Sequence, residues 1–444
     1  MLQLAFMLIG PGAFRERWYA VSAVGAALIV LPLALFVLAD GMTIAAYEAM
    51  GLIFFLNGLL SILVFLSEET HGTGNPVLLR GAGLTLLGVL ILISLLWTQI
   101  AVAALFALAF AVDGLTRIGM ALLVRFRGWR GTIAIGMVEL VVTLLILSDW
   151  PLPHDRSIPF CVSLLIALMG WQLFRFGLMF RTLESEVAIL ALPVFTGRGW
   201  YEHAPVLVGD EAPPAPDRPP MTVHVWTPTG AGDGVGRRPL IDRYVAAVDR
   251  NGVISTGHAA LEFQPHVYIS HYPAVELDRS SAAFIGALRG TADNDTAGRF
   301  QPSYEHESDW WRPADAHVEF RNFSTRRLRV FWAGYRQDDT YNLTNRNCSV
   351  AVAAALEAAL EGSLASRTPW LDLLRLMVNP DVWTAALLRG RAVSSTWTPG
   401  LVLDYARTLS RLVDGRQLSW LQRLRGFLKR LSPDEGRQAE AAGL

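Results

Sequence analysis

Apolar runs of roughly 20 residues, the length that crosses a bilayer, recur through the first 181 residues, and nothing else in the chain restricts its fold as much. Backbone in lipid has no water to bond, so such runs are expected to be helices. Six segments qualify, at about 18–38, 45–66, 79–97, 100–124, 131–148 and 158–180. Residues 1–181 hold 19 of the 77 charged side chains and the remaining 263 residues hold 58, so the second part of the chain reads as a water-facing domain. Because the runs continue after the first, that first run reads as a stable span and not as a cleaved signal peptide. A net charge of −1 gives no general affinity for nucleic acid.

Arginine placement orients the spans, since basic residues in short loops stay on the cytoplasmic side. Arg15, Arg17, Arg80, Arg125, Arg127, Arg130 and Arg181 fall on one side, with Glu68 and Glu69 beside Arg80. The other side carries Asp40, Asp149, Asp155 and Arg156. Both termini are therefore expected in the cytoplasm, with the chain multi-pass in the inner membrane. The second helix of each pair carries a polar residue: Asn57, Asp113 and Gln172, spaced by 56 and 59 residues. This predicts an all-α polytopic bundle of three hairpin repeats over residues 1–185. Asp113, Arg117 and Glu139 are intramembrane charges, read either as a proton or small-solute path or as an internally satisfied network. The pattern, with AVDGLTRI, Trp150-Pro151 and Gly170-Trp171, resembles the HdeD family of bacterial inner-membrane proteins over about residues 10–185. That resemblance implies a role in acid resistance.

Residues 186–220 form a connecting segment that ends in the proline-rich GDEAPPAPDRPP. Beyond it, MTVHVWT reads as a strand, RYVAAVD-RNG-VISTGHAALEF as a hairpin, HVYISHYP as a further strand and LRVFWAGY as another, with 285–327 polar and irregular. Residues 221–365 are thus expected to be an α+β domain on an antiparallel sheet. A helical extension over 366–444 follows, in which QLSWLQRLRGFLKRL is a basic amphipathic helix suited to an anionic leaflet or to packing on the domain.

Two cysteines make no disulfide framework, and they differ in setting. Cys161 lies in an apolar run, whereas Cys348 follows the polar TNRN and opens an alanine-rich helix. A cysteine in a first helical turn sits where backbone N–H groups favour a thiolate, the form that attacks carbonyl carbon. His258 follows Gly257, which permits close approach, and is the candidate general base. His271 is the candidate for orienting it, with His266 a weaker rival whose side chain should point to the opposite strand face. The Cys348 backbone N–H is a natural oxyanion donor, and Asn347 and Tyr341 are candidates for a second donor or for loop support. TNRN argues for an exposed loop. Two bland readings stand beside this one: a zinc site of His258, His266, His271 and Cys348, whose spacing fits no usual ligand pair, and a merely buried small cysteine. No metal or cofactor is expected.

The order of STGHAALEF, YISHYP and NRNC resembles the circularly permuted NlpC-like branch of the papain-like fold, which includes lecithin-retinol acyltransferase-type enzymes, over about residues 221–365. The resemblance implies Cys348 as nucleophile, His258 as base and His271 as the orienting residue. Where those acyltransferases carry Glu-His-Phe after Asn-Cys, this chain has Ser-Val-Ala. The expected activity is a membrane-anchored thiol hydrolase, peptidase- or amidase-like. The alternatives are a lipid acyltransferase or phospholipase on the inner leaflet, and a non-enzymatic acid-stress protein. The expected partners are the bilayer and a peptide, amide or lipid acyl substrate.

Overall fold

A computed structural model describes residues 1–38, parts of 51–62 and 81–92, and residues 99–182, 218–227, 247–248, 254–275 and 286–415, with 11, 127, 152 and 394 excepted. Asn57, the proline-rich linker before residue 218 and the basic amphipathic helix after Gln417 lie outside these residues, as do most of the expected spans 45–66 and 79–97. The chain divides into two compact units. One comprises Met1–Ala27, Phe110–Val141 and Met169–Asp414, the other Leu28–Ala109, Val142–Leu168 and Gly415–Leu444.

The N-terminal helices are α1 (Leu2–Ile9), α2 (Gly12–Arg15), α3 (Trp18–Leu38), α4 (Gln99–Val124), α5 (Trp129–Leu147) and α6 (His154–Thr182). Among the described residues, Phe106–Val124 in α4 and all of α5 are long and apolar enough to cross a membrane; Trp18–Ala34 is a shorter apolar helix. At 1.5 Å per residue, the 19 residues of α5 extend about 28 Å, close to the hydrocarbon thickness of a bilayer. α4 and α5 touch at Gly114 and Gly136, where a Cβ on either would lie 2.8 Å from the other's carbonyl oxygen, so only glycine fits. One turn from this contact, Arg117 Nε reaches Asp113 Oδ2 at 2.8 Å and Glu139 Oε1 at 3.2 Å. Gln172 is exposed on α6. In the second unit, Thr143 donates to the Ala107 carbonyl at 3.2 Å and Phe36 packs on Phe160.

The α+β region is built on an antiparallel sheet of order β5-β4-β1-β8, formed by Val267–Ile269, His258–Phe263, Met221–Trp226 and Ala316–Phe320. Register pairs Val223 with Leu261 and Val318, and Met221 with Phe320. Period-2 alternation therefore gathers Met221, Val223, Val225, Leu261, Val318 and Phe320 on one face, all buried. That face packs on helices α9 (Cys348–Leu360) and α12 (Pro399–Val413). α9 is buried along nearly its whole length, which suits a helix that is apolar all round. Among the described residues the remaining strands form the short pair β2–β3 (Ala247–Val248, Ile254–Ser255) and the three-stranded sheet β6-β7-β9 (His271–Pro273, Thr296–Phe300, Thr340–Tyr341).

The other sheet face is polar and aromatic. Its helix α7 (Tyr304–Trp310) is seated by Tyr304 stacking on His224 with ring centroids 4.0 Å apart, while His224 meets Glu262 and His317 at 3.2 and 2.9 Å. The region expected to be irregular thus contains β7, α7 and β8.

Three elements depart from the sequence-based expectation. LRVFWAGY is not a strand but most of α8 (Thr325–Tyr335): Ser324 caps it by accepting from Arg327 N at 3.1 Å, and Leu328, Phe331 and Tyr335 are buried at helical spacing. Residues 366–414 are not an appendage. They form α10 (Pro369–Val378), α11 (Pro380–Val393) and α12, each opening on proline where the missing N–H costs nothing, and α12 covers the sheet. Finally α1, which falls within the expected membrane region, packs on α9, α10 and α11, and its Met7 and Leu8 carbonyls accept from Gly362 N and Leu364 N at 2.9 and 2.8 Å. An apolar helix of 8 residues is too short to span, so its side chains are buried in protein.

Candidate active site

Cys348 is the first residue of α9. Asn347 caps the helix, its Oδ1 accepting from Val350 N at 2.8 Å. The polar approach to it is buried, contrary to the exposed loop expected: Asn342, Thr344, Arg346 and Asn347 are all sealed in. Each is accommodated because it finds partners. Asn342 Oδ1 accepts from Thr344 N and Asn345 N, and its Nδ2 donates to Asp295 Oδ1 at 2.8 Å. Thr344 Oγ1 donates to the Leu288 carbonyl at 2.6 Å, and Arg346 donates to the Tyr335 carbonyl at 2.9 Å with its guanidinium over the Tyr335 ring. Asn347 Nδ2 donates to the carbonyls of Leu343 and Trp397 at 2.6 and 3.2 Å. Its amide is thereby committed to bracing the helix start, which removes Asn347 as a second oxyanion donor. Tyr341 lies in β9 with its ring edge-on to His271, a supporting position.

His258 opens β4 directly after Gly257, whose φ of +70° is in the left-handed region that glycine favours. The ring is 3% exposed and the thiol-bearing Cys348 8% exposed. Burial disfavours an imidazolium, yet the Cys348 sulfur and then the Glu307 carboxylate outweigh it and hold the His258 pKa above its ordinary value. Burial likewise opposes a thiolate, but the His258 charge and hydrogen bond, the Ala259 backbone N–H and the Ser349 hydroxyl together bring the Cys348 thiol below its ordinary value. The two groups therefore stabilise each other as thiolate and imidazolium.

What positions the ring is Glu307, from α7. Nε2 of His258 lies 2.9 Å from Ser270 Oγ and 3.2 Å from Glu307 Oε1. With Nε2 so committed, Nδ1 is the nitrogen left to face the sulfur. Glu307 is fully buried and also accepts from Tyr268 Oη, from Ser270 Oγ at 2.9 Å and from Tyr272 Oη at 2.6 Å. Four donors on two oxygens match the acceptor capacity of an ionised carboxylate. Burial and the neighbouring carboxylate push both phenols up, so they remain protonated donors. Tyr272 also stacks on the His258 ring, centroids 4.1 Å apart.

His271 does not meet the imidazole. Its Nδ1 accepts from Tyr335 Oη at 3.0 Å and its Nε2 donates to the Asp339 carbonyl at 3.2 Å. The reason is strand alternation: Tyr268, Ser270 and Tyr272 point to the Glu307 side and the odd-numbered His271 points away. His266 is exposed in the turn between β4 and β5, so His258, His266, His271 and Cys348 are not brought together. The sequence did carry a signal for Glu307's partners, the Tyr-x-Ser-x-Tyr spacing of three hydroxyls on one strand face. It carried another for α7, since Ser303 with acidic residues after it is a helix start, and its side chain accepts from His306 N. Neither says that the two meet.

Burial pushes the His271 pKa down to about 4, so the folded state holds it neutral while the unfolded chain protonates near 6.5. Its contribution is fully present above pH 6.5 and is lost as pH falls toward about 4, by roughly 3 kcal/mol. Thermal unfolding of the full chain and of His271→Gln across this range is expected to show the wild type losing more stability on acidification than the variant.

Searches of the chain against protein-family models, curated proteins and solved structures return no match.

Proposed function

We propose that the chain is a multi-pass membrane protein, HdeD-like in its six-span helical part, that carries a permuted papain-like cysteine hydrolase on the cytoplasmic side. The observation that carries the hydrolase reading is the Cys348–His258 pair at a helix N-terminus, with the imidazole backed by the buried carboxylate of Glu307. A lone thiol with pKa near 8.5 is only a few per cent thiolate at neutral pH; this pairing supplies the nucleophile.

In the proposed reaction the Cys348 thiolate adds to a peptide, amide or ester carbonyl, and the tetrahedral oxyanion is held by the first-turn N–H of α9. His258 gives its Nδ1 proton to the departing amine or alcohol as the C–N or C–O bond breaks, leaving a thioester. His258 then takes a proton from water, which attacks the thioester and releases the acid and the thiolate. Throughout, Glu307 and Ser270 keep the Nε2–H in place. An acceptor hydroxyl or amine in place of water converts the same cycle to acyl transfer.

Replacing Cys348 with Ala is expected to abolish hydrolysis of activated ester and amide probes by the full chain in membranes. Binding of an acyl-thiol-reactive probe should disappear with it, while helix content stays at the wild-type level by circular dichroism. Retained turnover in Cys348→Ala rejects the nucleophile assignment. Reporter fusions after Arg181 and at the C-terminus test the cytoplasmic placement, and a periplasmic signal from either rejects it.

A further inference from the structure

α10 and α11 turn an apolar face outward. Leu371, Leu374 and Val378 recur at helical spacing on α10, with Leu374 64% and Val378 72% exposed, and α11 exposes Leu387. The opposite sides are in the core, through Leu376, Val382 and Ala385. Where this face lies is set by an aromatic joint. Trp370, at the start of α10, stands edge-on to Phe14 at 5.3 Å, and Phe14 stacks on Phe180 at 6.0 Å, in the last turn of α6. The next residue, Arg181, places its guanidinium 5.1 Å over Trp18, the first residue of α3. α10 therefore starts beside the C-terminal end of α6 and the first residue of α3, a shorter apolar helix.

A second contact ties the region of the sheet to the pair of apolar helices α4 and α5. The turn between α4 and α5 accepts a hydrogen bond at Val124 O from Gly290 N, 2.7 Å away, and Trp129 beside it is flanked by the guanidinium groups of Arg125 and Arg130. Tryptophan and arginine at helix ends are the residues that settle at the headgroup level. Gly290 is in turn held by Asn345, three residues before Cys348.

We propose that the exposed face of α10 and α11 is a bilayer-docking surface, with Leu371, Leu374, Val378 and Leu387 seated in the headgroup–acyl boundary and the exposed Arg367 meeting anionic headgroups. An apolar stripe beside basic side chains is the composition that lies in that boundary. Of the acidic groups on these helices, Asp372 bonds Arg375 and Ser366, and Asp381 is buried against Arg411, so neither repels the headgroups. The docking rests on the reading of α4 and α5 as membrane spans, and it sets the Cys348 loop close to the lipid surface.

The test uses the full chain, carrying Cys161→Ala and Cys348→Ala, in vesicles containing phosphatidylglycerol. A nitroxide is attached in turn at Leu374→Cys, at Val138→Cys on the exposed side of α5, and at Arg321→Cys on the exposed loop after β8. The Leu374 label is expected to favour collision with oxygen over an aqueous nickel chelate several-fold more than the Arg321 label does. If the Leu374 label matches Arg321 while Val138 reports lipid, the docking surface is wrong and the spans stand. If Val138 also reports water, the membrane reading fails and the docking falls with it. Protection from both reagents, with spin–spin broadening that vanishes on dilution with unlabelled chain, assigns the face to a second copy and overturns the proposal.

Discussion

In the folded full-length protein, Cys348 is expected to be alkylated by iodoacetamide well below the pH of about 8.5 that an isolated thiol requires, and His258→Ala is expected to move the midpoint back to that value or above it. Imidazolium charge and its hydrogen bond are what offset the burial of the sulfur. Without them, burial alone acts on the thiol and raises its pKa. Loss of the general base should also lower turnover of an ester probe by about 10²–10⁴-fold. The measurement is the alkylation rate against pH for both proteins. Identical profiles would show that the ring does not activate the sulfur, and labelling only after denaturation would make Cys348 a structural residue.

Glu307→Ala is expected to destabilise the protein by about 3–5 kcal/mol, the range for breaking a buried charged network by removing one partner. The loss leaves the Tyr268, Ser270 and Tyr272 hydroxyls and His258 Nε2 without their common acceptor in a sealed site. Glu307→Gln retains the shape and one acceptor oxygen, so it should fold at milder cost. It also lacks the negative charge that supports the imidazolium, so its Cys348 alkylation profile should shift to higher pH. Chemical unfolding of both variants, with the alkylation profile of the second, separates a structural carboxylate from one that positions the base. An unshifted Glu307→Gln profile would confine Glu307 to stability.

The contrast between Glu307 and His271 shows where reading the chain stops. His271 had a suitable side chain 13 residues after His258, and nothing local distinguishes it from a catalytic partner. Its odd position turned it toward Tyr335, and the alternation that did so also aimed Ser270 at the imidazole. Glu307 lay in a stretch without hydrophobic periodicity, because a 7-residue helix whose one buried residue is a polar one leaves no amphipathic trace. α8 departs from the expected strand for a related reason. Its β-branched and aromatic residues favour a strand, and the cap at Ser324 with burial of Leu328, Phe331 and Tyr335 overrode that preference.

Local pattern determined what local physics can enforce. Two helices long and apolar enough to cross a membrane, strands with a buried face, and a cysteine on the first turn of a buried helix all follow from side-chain period and length. Only the tertiary structure decided that α1 and α10–α12 belong to the sheet domain and that the TNRN approach is buried. It also decided that the carboxylate behind His258 comes from α7. These are meetings of residues tens to hundreds of positions apart. A buried polar group is placed by the partners that satisfy it, and those partners are chosen by how the elements pack and not by their order along the chain.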